Sequence, residues 1–309
     1  MEIIEGEYRD FDLFRNDVKD WGLEFNILSS KDFYAKFKMF TSENLLLSKE
    51  VLNGKIAHRG LAPLGYRTLV IPGIHNDSEI IWYNKLMQNN EILLFPKNNI
   101  IDAVTFNGLD IFLISIKETK LYNTIDTLGL LNCIEFFNSD KLRIKIDNSF
   151  ISTISTMSDA ILNSNILDIE RIDEMLNDLM FFILNYIEDS KPIMYPKDKI
   201  RKSIALTKAV EIINNEQDVL YTVQDLCGLV GVSEKTLFSA FKEKYRVSPS
   251  EYLKSLRLNK VKNEIESNKC QDNNISTIAG KYHFWHMGQF AKDFKKQFGI
   301  LPSDISKHR

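Results

Sequence analysis

Residues 223–237, which read VQDLCGLVGVSEKTL, decide the fold of the C-terminal part of the chain. Their apolar positions give a first short helix one buried face, and Gly231 permits a sharp reversal of the backbone. Ser233 stands where a following helix needs an N-cap, and Leu237 returns to pack on the first helix. The stretch therefore predicts a helix-turn-helix, a motif whose second helix can enter the major groove of DNA.

The same pattern returns in residues 275–290, which read ISTIAGKYHFWHMGQF. Ile278 and Ala279 pack the first helix of this second motif, and Phe284 and Phe290 anchor its second helix. A helix predicted over residues 250–267 joins the two motifs and is on the order of 27 Å long at about 1.5 Å per residue. That spacing could place two recognition helices in successive major grooves, about 34 Å apart, where the DNA bends or the motifs tilt.

Helical periodicity extends over the whole C-terminal third of the chain. The pattern predicts helices over residues 201–214, 223–230, 234–244, 250–267, 275–282, 286–297 and 303–307. Residues 189–199, which precede them, contain two prolines and several charges, as is typical of a linker. We therefore expect an N-terminal domain over residues 1–190, a linker over 191–200 and a DNA-binding domain over 201–309.

The N-terminal region is predicted to be rich in β-strands up to about residue 115. Short runs of β-branched and aromatic residues, separated by turn signals, occur at residues 33–40, 67–73, 91–96 and 111–116. They do not alternate with long helices, which favours an antiparallel sandwich or barrel over a parallel α/β sheet. The expected fold class is α+β, in which a β-sandwich or barrel with helices precedes an all-α domain.

Residues 166–187 carry an extended helical pattern at the end of this region. Apolar residues recur there at intervals of three and four and make one broad face, with acidic residues opposite. Two interpretations are open: the face packs on the sheet as core, or it forms a contact between subunits.

The charge of the chain is unevenly distributed. The formal net charge of the 309 residues is −3, but residues 196–309 contain 20 basic and 13 acidic residues, whereas residues 1–195 contain 19 basic and 29 acidic ones. A basic C-terminal third suits a partner that carries phosphate groups. No run of eighteen apolar residues and no signal peptide is recognisable, so we expect a cytoplasmic protein without a membrane span.

The sequence offers little support for an enzyme. Neither a disulfide framework nor a zinc site is indicated by the three distant cysteines, Cys133, Cys227 and Cys270. His58 and His75 lack the ladder of metal-binding histidines that a cupin enzyme would need. No GxSxG, HExxH, P-loop or GxGxxG element is present. We therefore predict no catalytic residue, no metal and no cofactor.

Anchor residues recur at fixed spacing through both motifs and the helix between them. They are Leu237-x-x-x-Phe241-Lys242, Ser248-Pro249-x-x-Tyr252, Arg257-Leu258, Ile278-Ala279, Phe284, Phe290-x-x-x-Phe294-Lys295-Lys296-x-Phe298-Gly299 and Pro302. This pattern, over residues 205–307, resembles the AraC/XylS family of transcriptional regulators. Residues 284–291, FWHMGQFA, are similar to the branch of that family that contains ethanolamine-operon regulators.

The resemblance implies a cupin-like N-terminal domain that senses a signal and dimerises. It further implies a regulator, more often an activator than a repressor, that binds promoter or operator DNA as a homodimer and works with RNA polymerase. A small molecule bound by the N-terminal domain would act by shifting the chain between two states.

Four positions depart from the pattern that this resemblance leads us to expect. Ser239 stands on the first recognition helix where the family usually has arginine, and Lys292 replaces the usual arginine of the second motif. Arg246 and His283 stand where glycine is usual. Serine can hydrogen-bond but cannot make a bidentate contact to guanine, and lysine keeps the charge without the fork geometry. The departure at Ser239 puts base readout by the first motif in question.

We expect the DNA contacts on the exposed faces of the two second helices. The candidates are Glu234, Lys235, Phe238, Ser239 and Lys242 in the first motif, and Trp285, His286, Gln289, Lys292, Lys295 and Lys296 in the second. Gln289 can pair with adenine through its amide, and Phe238 could contact a thymine methyl group. Lys242, Lys295 and Lys296 fit phosphate contacts, which give affinity and salt dependence.

Several of these residues have a structural alternative. Trp285 could be a packing residue, His286 a helix cap, and Lys295 and Lys296 a solvated face. The core of the two motifs is expected to consist of Leu237, Phe241, Phe284, Phe290, Phe294 and Phe298.

Two other functions are compatible with the sequence. The N-terminal region could bind a protein partner or only dimerise, with no small ligand. A cupin-like enzyme could also be fused to a DNA-binding tail. Trp82 and Tyr83 could line a ligand cavity, although core packing explains them as well.

Overall fold

The computed structural model describes residues 2–18, 23–82, 84–97, 100–139, 142–164, 169–190, 192–194, 200–215, 219–267 and 274–307. The chain divides into two compact units. The N-terminal unit comprises Met1–Phe25, Phe33–Asn53 and His58–Pro196, and the C-terminal unit comprises Asn26–Asp32, Gly54–Ala57 and Lys197–Arg309. All the helices predicted after the linker belong to the C-terminal unit.

The N-terminal region combines a curled sheet with helices. Its strands are β1 (Glu2–Tyr8), β2 (Leu23–Thr41), β3 (Leu45–Leu61), β4 (Tyr66–Pro72), β5 (Ile80–Trp82), β6 (Lys85–Met87), β7 (Glu91–Leu94), β8 (Ile100–Thr105), β9 (Leu109–Lys117), β10 (Leu142–Lys145) and β11 (Ile193–Met194). Its helices are α1 (Phe11–Asp17), α2 (Glu118–Leu128), α3 (Leu131–Asn138), α4 (Asn148–Leu162) and α5 (Ile169–Asp189).

Within the described residues, the strands form one sheet in the order β11-β10-β7-β4-β9-β3-β8-β5-β6, with β2 beside β3 and β1 beside β2. The pairs β3–β9 and β4–β9 are antiparallel, so that Ile114 of β9 lies opposite both Leu47 and Leu69. β9 is buried along almost its whole length, as the apolar run over residues 111–114 predicts, and the burial includes the polar residues Asp110 and Ser115. The predicted α+β fold class and its antiparallel sheet are confirmed.

Helices α2 to α5 cover one face of this sheet. Leu47, Leu69 and Ile114 share a hydrophobic cluster with residues of all four helices. The broad apolar face predicted on residues 166–187 belongs to that cluster from Ile172 to Ile187, which places it in the core; residues 166–168 lie outside the described part of the chain.

The C-terminal unit contains the predicted helices with small changes of their ends. They are α6 (Ile200–Asn215), α7 (Val223–Val230), α8 (Glu234–Tyr245), α9 (Pro249–Ser267), α10 (Ile275–Lys281), α11 (Met287–Phe298) and α12 (Pro302–Lys307). Among the described residues, no helix combines the length and the apolar character that a membrane crossing would need.

Other residues singled out from the sequence lie mostly in the interior. Cys133 is buried and its thiol donates to the Leu184 carbonyl at 3.2 Å, whereas Cys227 is half-buried. The ring of His58 lies 2.7 Å from the Thr105 hydroxyl. Buried Trp82 stacks on Phe95, with ring centroids 5.4 Å apart, so packing accounts for it. Cys270 and Tyr83 lie outside the described residues.

Candidate nucleic-acid interface

The first helix-turn-helix motif (α7 and α8) begins with a complete capping box. The Asp225 amide donates to the Thr222 hydroxyl at 3.2 Å, and the Thr222 amide donates to the Asp225 carboxylate at 2.8 Å. The helix ends at Gly231, whose φ of 68° is the left-handed conformation that glycine adopts without a steric penalty. The tight turn predicted from the sequence is therefore present.

Helix α8 then starts on Ser233, whose hydroxyl accepts from the Thr236 amide at 3.3 Å. Leu237 and Phe241 on its inner side are fully buried, and the Phe241 ring lies 5.1 Å from that of Tyr252 on α9. This apolar inner side fixes which residues of α8 face outward.

The outward face of α8 carries all five residues expected from the sequence. Glu234, Lys235, Phe238, Ser239 and Lys242 lie on it. Phe238 keeps 49% of its surface exposed, and the Lys242 ammonium lies 5.7 Å from the centre of its ring. Lys242 also pairs with Glu251 at 3.5 Å, so part of its charge is compensated within the protein.

A cation from outside this motif reaches the same face. The Lys202 ammonium, on α6, donates to the Ser239 hydroxyl at 2.7 Å and pairs with the Glu243 carboxylate at 2.5 Å. Sequence reasoning did not identify Lys202, because Lys202 and Ser239 are 37 residues apart and no local pattern joins them.

Helix α9 is held at its start by Glu251. The amide and hydroxyl of Ser248 donate to the Glu251 carboxylate at 2.7 and 2.8 Å and hold its pKa down at about 2. Pro249 occupies the first turn, where the absence of an N–H has no effect on helical hydrogen bonding. With 19 residues, α9 spans about 28 Å at roughly 1.5 Å per residue.

The second helix-turn-helix motif (α10 and α11) is attached to α9 through Glu264. The Lys281 ammonium and the Tyr282 hydroxyl both donate to that carboxylate, at 2.8 and 2.6 Å. Ile278 and Ala279 are buried, as expected, and the structure places them in one cluster with Val261 and Ile265 of α9. The turn passes through His283, which adopts a φ of 63° although it is not glycine.

Helix α11 begins later than predicted, at Met287. The shift is one residue and leaves His286 at the N-cap, with Trp285 just before it, so neither side chain projects from the helix itself. Their contact with DNA stays a prediction. His286 occupies the N-cap position but makes no side-chain capping hydrogen bond. Trp285 is 72% exposed and stacks on His283, with ring centroids 5.8 Å apart, so it is not a buried packing residue.

The remaining candidates of the second motif share one polar face of α11. It carries Gln289, Lys292, Lys295 and Lys296. The opposite side carries the fully buried rings of Phe290 and Phe294, and half-buried Phe284 and Phe298 pack against them. The structure thus brings four polar side chains to one surface and separates them from the aromatic core.

Comparisons with known proteins bear on this C-terminal region. Residues 226–308 match the family model described as a helix-turn-helix domain. The XylDLEGF operon transcriptional activator 3 of Pseudomonas putida is 24% identical over 102 residues, which cover 33% of this chain and 31% of that protein. Histidine kinase P4 of Formosa agariphila is 37% identical over 103 residues, which cover 32% of this chain and 7% of that protein.

A solved structure is similar over more of the chain. The crystal structure of the AraC-like transcriptional activator CuxR superposes with a TM-score of 0.43 and 12% sequence identity, over 84% of this chain and 96% of that one. The match to the XylDLEGF activator spans only 31% of that relative's length. The two motifs, the helix that connects them and the family match over residues 226–308 all indicate the same kind of domain. Residues 226–308 of this chain are therefore similar to the helix-turn-helix domains of AraC/XylS-type regulators.

Proposed function

We propose that the chain is a sequence-specific regulator of transcription that binds double-stranded promoter DNA. The observation that carries the proposal is the pair of motifs joined by α9, each with an aromatic core beneath an exposed polar face. A helix of this kind can lie in the major groove, where side chains reach base edges and lysines reach phosphates. The +7 formal charge of residues 196–309 favours such a partner.

Activation is the direction of control that we propose. The relative from Pseudomonas putida is named as an operon transcriptional activator, and its similarity to this chain supports the same role here. An activator of this type would act in the cytoplasm, with RNA polymerase as its partner at the promoter.

Selection from a random DNA pool tests the proposal. The purified full chain is mixed with the pool at near-physiological salt, and bound fragments are sequenced. We expect a motif of two boxes about one helical turn apart, one for each recognition helix. A single enriched box would mean that the first motif contributes phosphate contacts only. Equal binding of all fragments would overturn sequence-specific recognition.

We further propose that a small molecule bound by the N-terminal region controls this activity. Ser48 and Glu50 of β3 lie on the sheet face opposite to Leu47, which packs on the helices. The Ser48 hydroxyl is fully buried and has no hydrogen-bond partner among the described residues. Burial also raises the pKa of Glu50 to about 7. Polar groups in this state suit a ligand that carries hydrogen-bonding groups.

Thermal unfolding with candidate ligands checks the effector. A ligand that binds the folded chain raises the melting temperature, and the shift grows with ligand concentration. Replacing Ser48 by alanine should reduce that shift if the ligand lies on this face. A ligand whose shift is unchanged by the substitution binds elsewhere.

An alternative control, by dimerisation alone or by a protein partner, has its own support. Helix α3 exposes Leu131 and Ile134, which are three residues apart and therefore on one face. An exposed apolar face is typical of a protein contact, and we take a second copy of this chain as the occupant. Sedimentation of the wild type and of Leu131→Glu tests this, since only a homodimer that uses α3 would dissociate.

A further inference from the structure

The contact between Lys202 and Ser239 brings an ammonium group from α6 to the exposed face of α8. Lys202 lies on α6, before the residues that match the family model. Its side chain is half-buried, with 25% of its surface exposed, and its ammonium lies 2.7 Å from the Ser239 hydroxyl. It also borders an open groove lined by Ser233 and Thr236 at the start of α8. The ammonium is therefore held at the exposed face of α8, beside the turn.

The chemistry of a hydroxyl determines what this contact does. A serine hydroxyl has one proton to donate and two lone pairs to accept with. An ammonium group can only donate, so Lys202 occupies a lone pair of Ser239 and leaves the hydroxyl proton for another acceptor. The pair with Glu243 at 2.5 Å holds the ammonium on this side of α8. Two of the three ammonium protons are used in these contacts.

We propose that Lys202 and Ser239 form one composite reading group, in which Lys202 orients the Ser239 hydroxyl as a donor toward an acceptor-rich base edge. The inference rests on the proposed function and names a specificity determinant within it. Guanine offers two acceptors, N7 and O6, in the major groove, so the group should favour guanine at one position of the first box. Lys202 also adds a positive charge beside the Ser239 hydroxyl, which is itself neutral.

A simple surface ion pair between Lys202 and Glu243 is the competing explanation. Glu243 is 71% exposed, and exposed pairs of this kind contribute little to stability. The two explanations differ in what the Lys202 substitution does to base preference. An ion pair affects stability or overall affinity, whereas a composite reader affects one base position.

The experiment measures binding of the full chain to its selected site and to all single-base variants of the first box. The variants are Ser239→Ala, Lys202→Met, the double substitution, and Lys208→Met as a control. Lys208 is an exposed lysine on the same helix, so its removal matches the change in charge. Thermal unfolding and the preference profile of the second box verify that each variant is folded.

We expect Ser239→Ala and Lys202→Met to reduce the preference for guanine at the same position, each by about three- to tenfold. The double variant should lose no more than the larger single effect, because the two residues act as one group. Lys208→Met should leave the profile unchanged.

Other outcomes overturn the inference. If Lys202→Met weakens all sequences equally, Lys202 is a phosphate contact and not part of a reader. If Ser239→Ala alone changes the preference, the two residues are not coupled. A wild-type chain that enriches no motif overturns the proposed function, and this inference with it. A clear wild-type motif with unaffected variants overturns the inference alone.

Discussion

The two helix-turn-helix motifs share a fold but hold their turns by different means. In the first, Gly231 takes the left-handed position and Ser233 caps the recognition helix. In the second, His283 takes a left-handed position and His286 stands at the N-cap without a capping hydrogen bond. Backbone hydrogen bonds close both turns, from the Val232 amide to the Cys227 carbonyl in the first and from the Phe284 amide to the Ala279 carbonyl in the second. The motifs therefore differ in the residue that takes the left-handed position and in the N-cap of the recognition helix.

The charges on the two recognition helices also differ. On α8, Lys242 pairs with Glu251, so its charge is partly compensated. On α11, the acidic residue Asp293 pairs with Lys254 of α9 at 3.0 Å. The Asp293 carboxylate is therefore engaged with α9 and does not compensate the lysines on the exposed face of α11. We infer that the second motif makes the stronger electrostatic contribution to DNA binding and that the first depends more on oriented polar groups.

The largest expected effect is the loss of stability when an aromatic ring is removed from the core of one motif. Phe294→Ala removes a fully buried ring that lies 5.6 Å from Phe290 and 4.6 Å from Phe298. The free energy of unfolding should fall by about 3–5 kcal/mol. Urea unfolding gives this value, and DNA selection should then yield the box of the first motif only. The matched variant Phe241→Ala should remove the other box, and loss of both boxes in either variant would show that the motifs do not fold independently.

The next largest effect concerns the lysine charges on the two recognition helices. Replacing Lys295 and Lys296 together by glutamine should lower the slope of log affinity against log salt by about 1.8, or about 0.9 for each phosphate that is no longer neutralised. Lys242→Gln should lower it by less, because Glu251 already compensates Lys242. Titrations at several salt concentrations provide the slopes. An unchanged slope in the double variant would place Lys295 and Lys296 on a solvated face.

A smaller effect concerns base readout by α11. Gln289 is exposed in the first turn of this helix, three residues before Lys292. Gln289→Ala should relax the preference at one position of the second box and cost roughly 1–3 kcal/mol for the preferred base. Affinities for the four bases at that position measure the effect. Equal losses on the selected site and on random DNA would exclude a reading role.

Much of the C-terminal unit could be predicted from the sequence because its signals are local. Caps, glycine turns and aromatic anchors lie within a few residues of the helices that they define, as at Ser233, Gly231 and Phe290. The start of α11 was misplaced because His286 is not a residue that normally marks an N-cap. The contribution of Lys202 could not be found, because it depends on how α6 packs beside α8.

The sheet was predicted only in part. Strands with an apolar run at their centre, such as β4 with residues 69–71 and β9 with residues 111–114, were identified. The long strand β3 was not, because the polar run Ser48-Lys49-Glu50 and the turn signal Asn53-Gly54 interrupt its apolar pattern. A strand that carries polar groups on its inner side resembles a loop when only hydrophobicity is considered.

The smallest effect tests the turns directly. In the first motif, Gly231→Ala should destabilise the chain by about 1 kcal/mol, since an added methyl group meets no atom within 4 Å and the backbone conformation alone opposes it. In the second motif, the comparison is between two variants of His283. His283→Gly relieves the strain of the left-handed backbone and His283→Ala does not, so the glycine variant should be more stable than the alanine variant by about 1 kcal/mol. Both variants lack the ring stacked on Trp285, so the stacking does not enter the difference between them. Urea unfolding measures the free energy of unfolding of the wild type, of Gly231→Ala and of the two His283 variants. Equal stability of the two His283 variants would mean that this turn carries no backbone strain, and the contrast between the motifs would then reduce to their caps and charges.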